Sequence, residues 1–414
     1  MPMPVLGESV RLRETNLRPF PLLPVWFLVV IFYLNITSRI VFSPLLPVIE
    51  GELGLRHGEA GSLFLLIQIG YCLGLLGSGF VASWLNHRRT ILVSTTTLGA
   101  VLLVMSRSAS VTGLRAELVL LGAFAGLYLP SGIATLTGEI RKEHWGKALA
   151  IHELAPNLGF VTAPLLAEAL LRFLPWRGVL AVLGSLAILM GGIFALAGHG
   201  GSRRAEPPRF DTMKQIARDP SFWVIATLFA VSIGSGLGVY TMMPLFLVTE
   251  IGLERELANT IAGLSRGPGI LLVFFSGLIT DRIGHRRALA ISLLTMGTFT
   301  LLLGVVHGRV ITPALVILQS TSIVCFFPAG FSMLSAMFPP HLRNLAVSMV
   351  TIVGSFLGAG AIPPAIGYLA EVSSFSSGLI LLGVVTLALL PVLRYGKSSP
   401  GIDGKADHPN VPVG

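Results

Sequence analysis

The chain has 414 residues, 53% of them hydrophobic and only 12% charged, with a mean hydropathy of +0.80. That composition excludes an ordinary water-soluble domain and places the chain in a lipid bilayer. A formal net charge of +9 does not amount to a nucleic-acid surface, because Lys and Arg fall in short clusters between apolar runs and form no continuous stripe.

About 20 apolar residues suffice to cross a bilayer. On that measure, spans are predicted in chain order at 22–46, 59–83, 90–106, 114–138, 148–171 and 177–198, then at 221–248, 258–280, 288–307, 311–337, 345–370 and 376–394. The first follows a basic N-terminus as a signal peptide would, but it is too long for one and has no clear small-residue cleavage site, so it reads as a retained span. Between spans 6 and 7 lies GHGGSRRAEPPRFDTMKQIARDP, a polar stretch rich in Gly, Pro and charge. The expected fold is therefore all-α and polytopic, with two six-helix bundles: an N-terminal one over 1–198, a cytoplasmic linker over 199–220, and a C-terminal bundle and tail over 221–414. The two cysteines, Cys72 and Cys325, each stand alone in an apolar run and read as packing residues.

Of the 29 Lys and Arg, seven (Arg56, Arg107, Arg115, Arg172, Arg177, Arg255 and Arg309) fall on one side and two (Arg39 and Arg266) within spans. The remaining twenty share a side with the tails. The positive-inside rule puts both termini in the cytoplasm, in a cell's inner (plasma) membrane.

The loop after span 2 reads GFVASWLNHRR (Gly79 to Arg89), and the loop after span 8 reads GLITDRIGHRR (Gly277 to Arg287). Shared ends at matching places make these an internal repeat, as in transporters built from two six-span halves. The second loop resembles, position for position, the G-x-x-x-D-R-x-G-x-R-R signature of the major facilitator superfamily. PWRGV (Pro175 to Val179) at the start of span 6 is a supporting mark. The resemblance implies two bundles that rock about a midplane site, no cofactor, no enzymatic chemistry, and a gating role for Gly277, Asp281, Arg282, Gly284, Arg286 and Arg287. Asp281 would bridge to a neighbouring helix and hold the outward-facing state, with Gly277 allowing close helix approach. An acid at a helix C-terminus does need such a partner, because the dipole is negative there. In the first copy Ser83, Trp84 and Asn86 replace Asp, Arg and Gly, so a weaker gate is expected.

A charge near the bilayer centre costs at least a few kcal/mol and faces a partner or a wet cavity. Arg39 in span 1, Arg266 in span 8, and His152 and Glu153 in span 5 pass that filter; Glu117, Glu139 and Glu168 lie near span ends. Counted along the helix, both arginines start ~10 to 12 Å below the outer surface. Arginine is always protonated and its fork suits carboxylate or phosphate, so Arg39 and Arg266 are expected to hold an anion, with Asn35 on Arg39's face one turn earlier. Pro268 and the glycines of SRGPG (Ser265 to Gly269) loosen the backbone at Arg266. An arginine in span 8 also resembles the anion-binding arginine of the superfamily's monocarboxylate and oxalate carriers. The competing reading pairs each arginine with a carboxylate on a neighbouring helix. Glu153 and His152 are candidates for carrying a coupled proton; alternatively both bond to Arg141, Lys142 or His144.

The expected activity is secondary transport of a small organic anion, a carboxylate above others, by proton-coupled uptake in a monomer. Proton-driven efflux of drugs or metabolites is the alternative. GFVTAPLLA (Gly159 to Ala167) resembles the exporters' G-P-x-x-G-G pattern, with Ala163 in place of the glycine before proline. A transport-derived sensor is a third reading, opposed by the lack of a sizeable soluble domain. No metal-ligand spacing and no nucleophile motif occurs, and no nucleic-acid partner is expected.

Overall fold

The structure, a computed structural model, describes residues 22–205 and 210–394. Eleven long apolar helices and one broken one run through it. They are α1 (Val25–Leu53), α2 (His57–Leu85), α3 (His87–Met105), α4 (Val111–Glu139), α5 (Lys142–Leu171), α6 (Trp176–Ala197) and α7 (Pro220–Thr249). Then come α8 (Arg255–Leu264 and Gly267–Ile283), α9 (His285–Val305), α10 (Ile311–Met337), α11 (Leu345–Val372) and α12 (Phe375–Leu393). The chain is thus a multi-pass α-helical membrane protein. A short helix, Phe210–Ala217, lies in the linker. The linker residues 206–209 and the tails, with Arg11, Arg13, Arg18, Arg209, Lys397 and Lys405 counted above for orientation, lie outside the described residues.

Proline sets where these helices break. It has no N–H for the carbonyl four residues earlier, and in five spans the helix is interrupted within that turn. Pro44 follows the interruption at Val41, Pro130 the one at Leu127, Pro156 the one at Glu153, Pro268 the one at Ser265 and Arg266, and Pro328 the one at Ile323 to Cys325. In α7 and α11 the disturbance takes the form of π turns, Gly234–Gly238 and Phe356–Ala361. These two turns face each other so closely that a Cβ on Gly238 would stand 2.7 Å from the Gly358 carbonyl oxygen.

The two halves repeat one another in detail. PLLPVIE at 44–50 in α1 returns as PLFLVTE at 244–250 in α7, and each span is followed by a left-handed glycine, Gly54 at φ 62° and Gly252 at φ 70°. At the end of α1, Glu52 takes the Trp176 Nε1–H at 2.7 Å and an Arg177 N–H, which fixes the start of α6. At the end of α7, Glu250 takes the N–H and hydroxyl of Ser376 and fixes the start of α12.

The short connections after α1, α3, α5, α7, α9 and α11 lie at one end of the bundle, the far end. The two copies of the loop motif lie at the other, the loop end, which the charge count leads one to expect in the cytoplasm. At the far end the halves are packed together, α2 on α11, α1 on α7 and α5 on α8. Toward the loop end they part. Trp145–His152 of α5 packs on α1 and α4 within its own half, and Gly267–Ile283 of α8 packs on α9 and α10 within the other.

Candidate functional site

At the far end the helices run beyond the spans expected from hydropathy. Hydropathy falls after Leu46, but the helix runs on to Leu53 because Glu50 and Glu52 find partners, Glu50 through the His57 ring at 3.0 Å. Arg39 therefore sits at the middle of α1, ~21 Å of helix from its far end, and Arg266 lies ~17 Å from the far end of α8.

Arg39 stacks its guanidinium over the Tyr71 ring, 4.0 Å from the centroid. It lines a small cavity of about 30 Å³ together with Gln68 of α2 and with Leu237, Thr241 and Ala359 from the other half. Arg266 lies 4.6 Å from the Tyr240 ring and 5.0 Å from the Phe160 ring, and its Nη2 donates to the Gly236 carbonyl at 2.7 Å. The two arginines are thus separated by the π turn of α7. Leu237 and Thr241 face one; Gly236 and Tyr240 face the other. Neither stands in an ion pair among the described residues, and the Nε of each is buried with no hydrogen-bond acceptor. Aromatic faces compensate part of each charge, and the Gly236 carbonyl adds to this at Arg266.

Helix electrostatics separate the pair. Arg39 falls in the last turn of the helix Leu22–Ile40, where a cation suits the negative end of the dipole. Arg266 immediately precedes the helix Gly267–Ile283, so the break in α8 adds a positive helix end to a permanent cation.

Asn35, expected beside Arg39, is turned elsewhere: its amide donates to the Ala125 carbonyl of α4 at 3.0 Å, and it does not line the cavity. His152 is fully buried, stacked on Phe32 at 4.5 Å. Tyr128 Oη donates to the Leu28 carbonyl at 2.7 Å, so its contact with His152 Nε2 at 3.0 Å requires that nitrogen to carry the hydrogen. That leaves Nδ1 as a base without a hydrogen-bond partner, 3.7 Å from the Glu153 carboxylate. Glu153, which the sequence offers as the buried acid, is the more exposed of the two, its side chain 57% accessible. Pro156 explains its place: the helix is interrupted at Glu153, which swings the carboxylate out of the packed interior.

The buried acid is Glu168, with 8% of its side chain accessible. It takes Arg255 through two nitrogens at 2.9 and 3.2 Å and the Asn259 amide at 2.8 Å, and Asn259 also reaches the Pro44 carbonyl at 3.3 Å. A second pair, Arg172 with Glu256, joins the same two spans, and Glu371 of α11 accepts the Gly58 N–H of α2 at 2.7 Å. All of these cross between the halves. Sequence position alone makes Glu168 a solvated span end; the signal that could have found it is that Arg255, Glu256 and Asn259 share one face of α8 at helical spacing.

At the loop end Asp281, Arg282, Gly284 and Arg287 are exposed, and Asp281 has no ion-pair partner among the described residues. Gly277 has open space where a Cβ would be, so it makes no close helix approach here, because the halves have parted at that level. Gly284 is favoured by its backbone, at φ 82°. Arg286 is half-buried and partnered.

The fold agrees with comparison to known proteins. The chain is 24% identical over 366 residues, 81% of its length and 84% of the relative's, to the cis,cis-muconate transport protein of Acinetobacter baylyi. It is 26% identical over 286 residues, 65% of its length and 63% of the relative's, to the probable nitrate/nitrite antiporter NarK1 of Thermus thermophilus. In fold it is similar to a bacterial homolog of the human lysosomal transporter Spinster, solved in an inward-facing and occupied conformation. The TM-score there is 0.76, with 16% identity, over 92% of this chain and 96% of that one. A POT family transporter with a bound peptide conjugate gives a TM-score of 0.75 at 12% identity, over 90% and 95% of the two chains. The profile of the Major Facilitator Superfamily matches residues 25–273 and 248–413, and the chain belongs to that superfamily of membrane transporters.

Proposed function

We propose that the protein carries a small organic anion, a carboxylate, across the membrane by alternating access, with a proton carried inward alongside it. The observation that carries this reading is the pair of mid-span arginines, Arg39 and Arg266, neither neutralised by an acid among the described residues and each with a buried, unpartnered Nε. A permanent cation in that setting gains most from a ligand that brings the missing negative charge. Two relatives, named for cis,cis-muconate and for nitrate and nitrite, support the sign of the cargo, and the first supports a carboxylate. The aromatic faces of Tyr71, Tyr240 and Phe160 beside the cations favour a flat, unsaturated carbon skeleton.

His152 and Glu153 supply a proton site in the same half. A proton taken on His152 Nδ1 faces a carboxylate 3.7 Å away and turns two loosely related groups into an ion pair across the break in α5. Exchange of that proton with water proceeds through the exposed Glu153.

The test is uptake of cis,cis-muconate, benzoate, succinate and nitrate into proteoliposomes, with and without an inward proton gradient, by the wild type and by Arg39→Lys and Arg266→Lys. Lysine keeps the charge and loses the fork, so each substitution should lower uptake at least tenfold, Arg266→Lys the more. Wild-type carboxylate uptake by both variants would overturn the reading, as would transport confined to cationic drugs.

A further inference from the structure

Two neighbouring carbonyls of the π turn in α7 take side-chain donors. Ser235 O accepts from Gln319 Nε2 at 2.5 Å, and Gly236 O accepts from Arg266 Nη2 at 2.7 Å. Gln319, in α10, is buried, and its other amide hydrogen goes to Thr300 Oγ1 at 3.3 Å, whose own proton is given to the Met296 carbonyl. Both amide hydrogens are therefore spent, and Ser235 O is one of the two acceptors they serve. One residue further along, Ser320 Oγ lies 3.2 Å from Ser265 Oγ at the interruption of α8. From adjacent positions, α10 thus touches the residue before each partner of the Arg266 to Gly236 contact, Ser265 and Ser235.

A π turn carries one residue more than the α-helical ladder accommodates and persists where groups outside the helix compensate it. Gln319 is such a group. Without its donor the buried Ser235 carbonyl loses its side-chain partner, and the turn is released toward ordinary α register. A shift of one residue rotates the remainder of the helix by about 100°. That rotation carries the Gly236 carbonyl away from Arg266, and Leu237 and Thr241 away from the Arg39 cavity. We infer that Gln319 is a positioning residue for the anion site: from α10 it holds α7 in the one register that serves both arginines. This rests on the anion reading above, in which Arg39 and Arg266 hold the cargo.

Gln319→Leu should raise KM for anion uptake about tenfold, the weight of one buried hydrogen bond lost, with kcat within about twofold of wild type. Gln319→His, which returns an N–H at similar reach, should restore KM to within about threefold. A residue that merely supports the fold would lower the yield and the maximal rate and leave the KM of the folded fraction alone. Uptake of benzoate, nitrate and four- and six-carbon unsaturated dicarboxylates is measured for each variant beside Arg266→Lys. If Gln319→Leu does not fold, Gln319→Asn, too short to reach Ser235, is held to the same expectation. A wild-type KM in the variant used, beside a loss in Arg266→Lys, overturns the inference and leaves the anion reading standing. Wild-type uptake by Arg266→Lys, or no saturable uptake of any of these anions by the wild-type protein, removes the reading and the inference together.

Discussion

The two ends of the bundle are made from the same repeated architecture and are held in opposite ways. At the far end the halves meet through Glu168 with Arg255 and Asn259, Arg172 with Glu256, and the Gly58 amide on Glu371, over a backbone approach of α2 to α11. At the loop end Asp281, Arg282 and Arg287 of the second half's motif are exposed, while Arg286 is half-buried and partnered. The contrast marks this structure as one of a pair of states. Groups that join the halves at the sealed end are satisfied, and Asp281, expected from the motif to latch the other end, has no ion-pair partner among the described residues. Each end should therefore respond to mutation with the opposite sign.

The largest effect is expected where no side chain can be admitted. A Cβ on Gly61 would stand 2.5 Å from the Pro363 carbonyl oxygen and 2.8 Å from Pro364 Cα. Gly61→Leu pushes α2 from α11 and holds the far end ajar, at an overpacking cost of about 3 kcal/mol, or roughly a hundredfold in the closing equilibrium. Transport should fall by about that factor. Ala258→Cys, at a position buried in the seal, placed in a background with Cys72 and Cys325 replaced by serine, should react with an impermeant maleimide from the far side. Slow labelling in Gly61→Leu would show that the seal does not depend on this approach.

Glu168→Gln is the intermediate case. It keeps the shape and removes the charge that Arg255 answers, a pair buried on one side and about a third exposed on the other. With that exposure discounted, about 1 kcal/mol is lost, a shift of roughly fivefold toward the state open at the far end. The same cysteine label should quicken by about that factor, and Arg255→Gln should match it. If the two changes add in the double variant, the groups are not one latch.

Much of this is legible in the sequence, and the rest is hidden for identifiable causes. The spans follow from hydropathy, and the breaks in α1, α4, α5, α8 and α10 follow from proline, because both are properties of a single stretch. Arg39 and Arg266 stand out because a charge in an apolar run is costly wherever the run ends up. The seal is not legible, since Glu168 and Arg255 each look like a solvated span end until residues 87 apart in sequence meet. Gln319 is hidden because a neutral amide in an apolar run carries no signal until its acceptor is known. Asn86 is a case between: it replaces the motif's glycine yet adopts φ 84°, beside 82° at Gly284, and its Oδ1 caps Arg89 N–H at 3.0 Å. The loop's backbone is repeated although its chemistry is not.

The smallest effect belongs to Asp281→Asn, and its sign is the point. With Asp281 exposed and without an ion-pair partner among the described residues, the substitution should leave thermal stability within about 0.5 kcal/mol, as at an ordinary surface site. What it removes is the partner for a cationic or N-terminal helix group in the state closed at the loop end. The equilibrium should then move further toward the structure described, by about threefold or less for a pair that forms near solvent. Labelling of the buried far-end cysteine should slow by that factor, opposite to Glu168→Gln, and the two substitutions together should nearly cancel. If Asp281→Asn instead quickens the label, the loop end is not latched by this acid, and the asymmetry between the two ends has another origin.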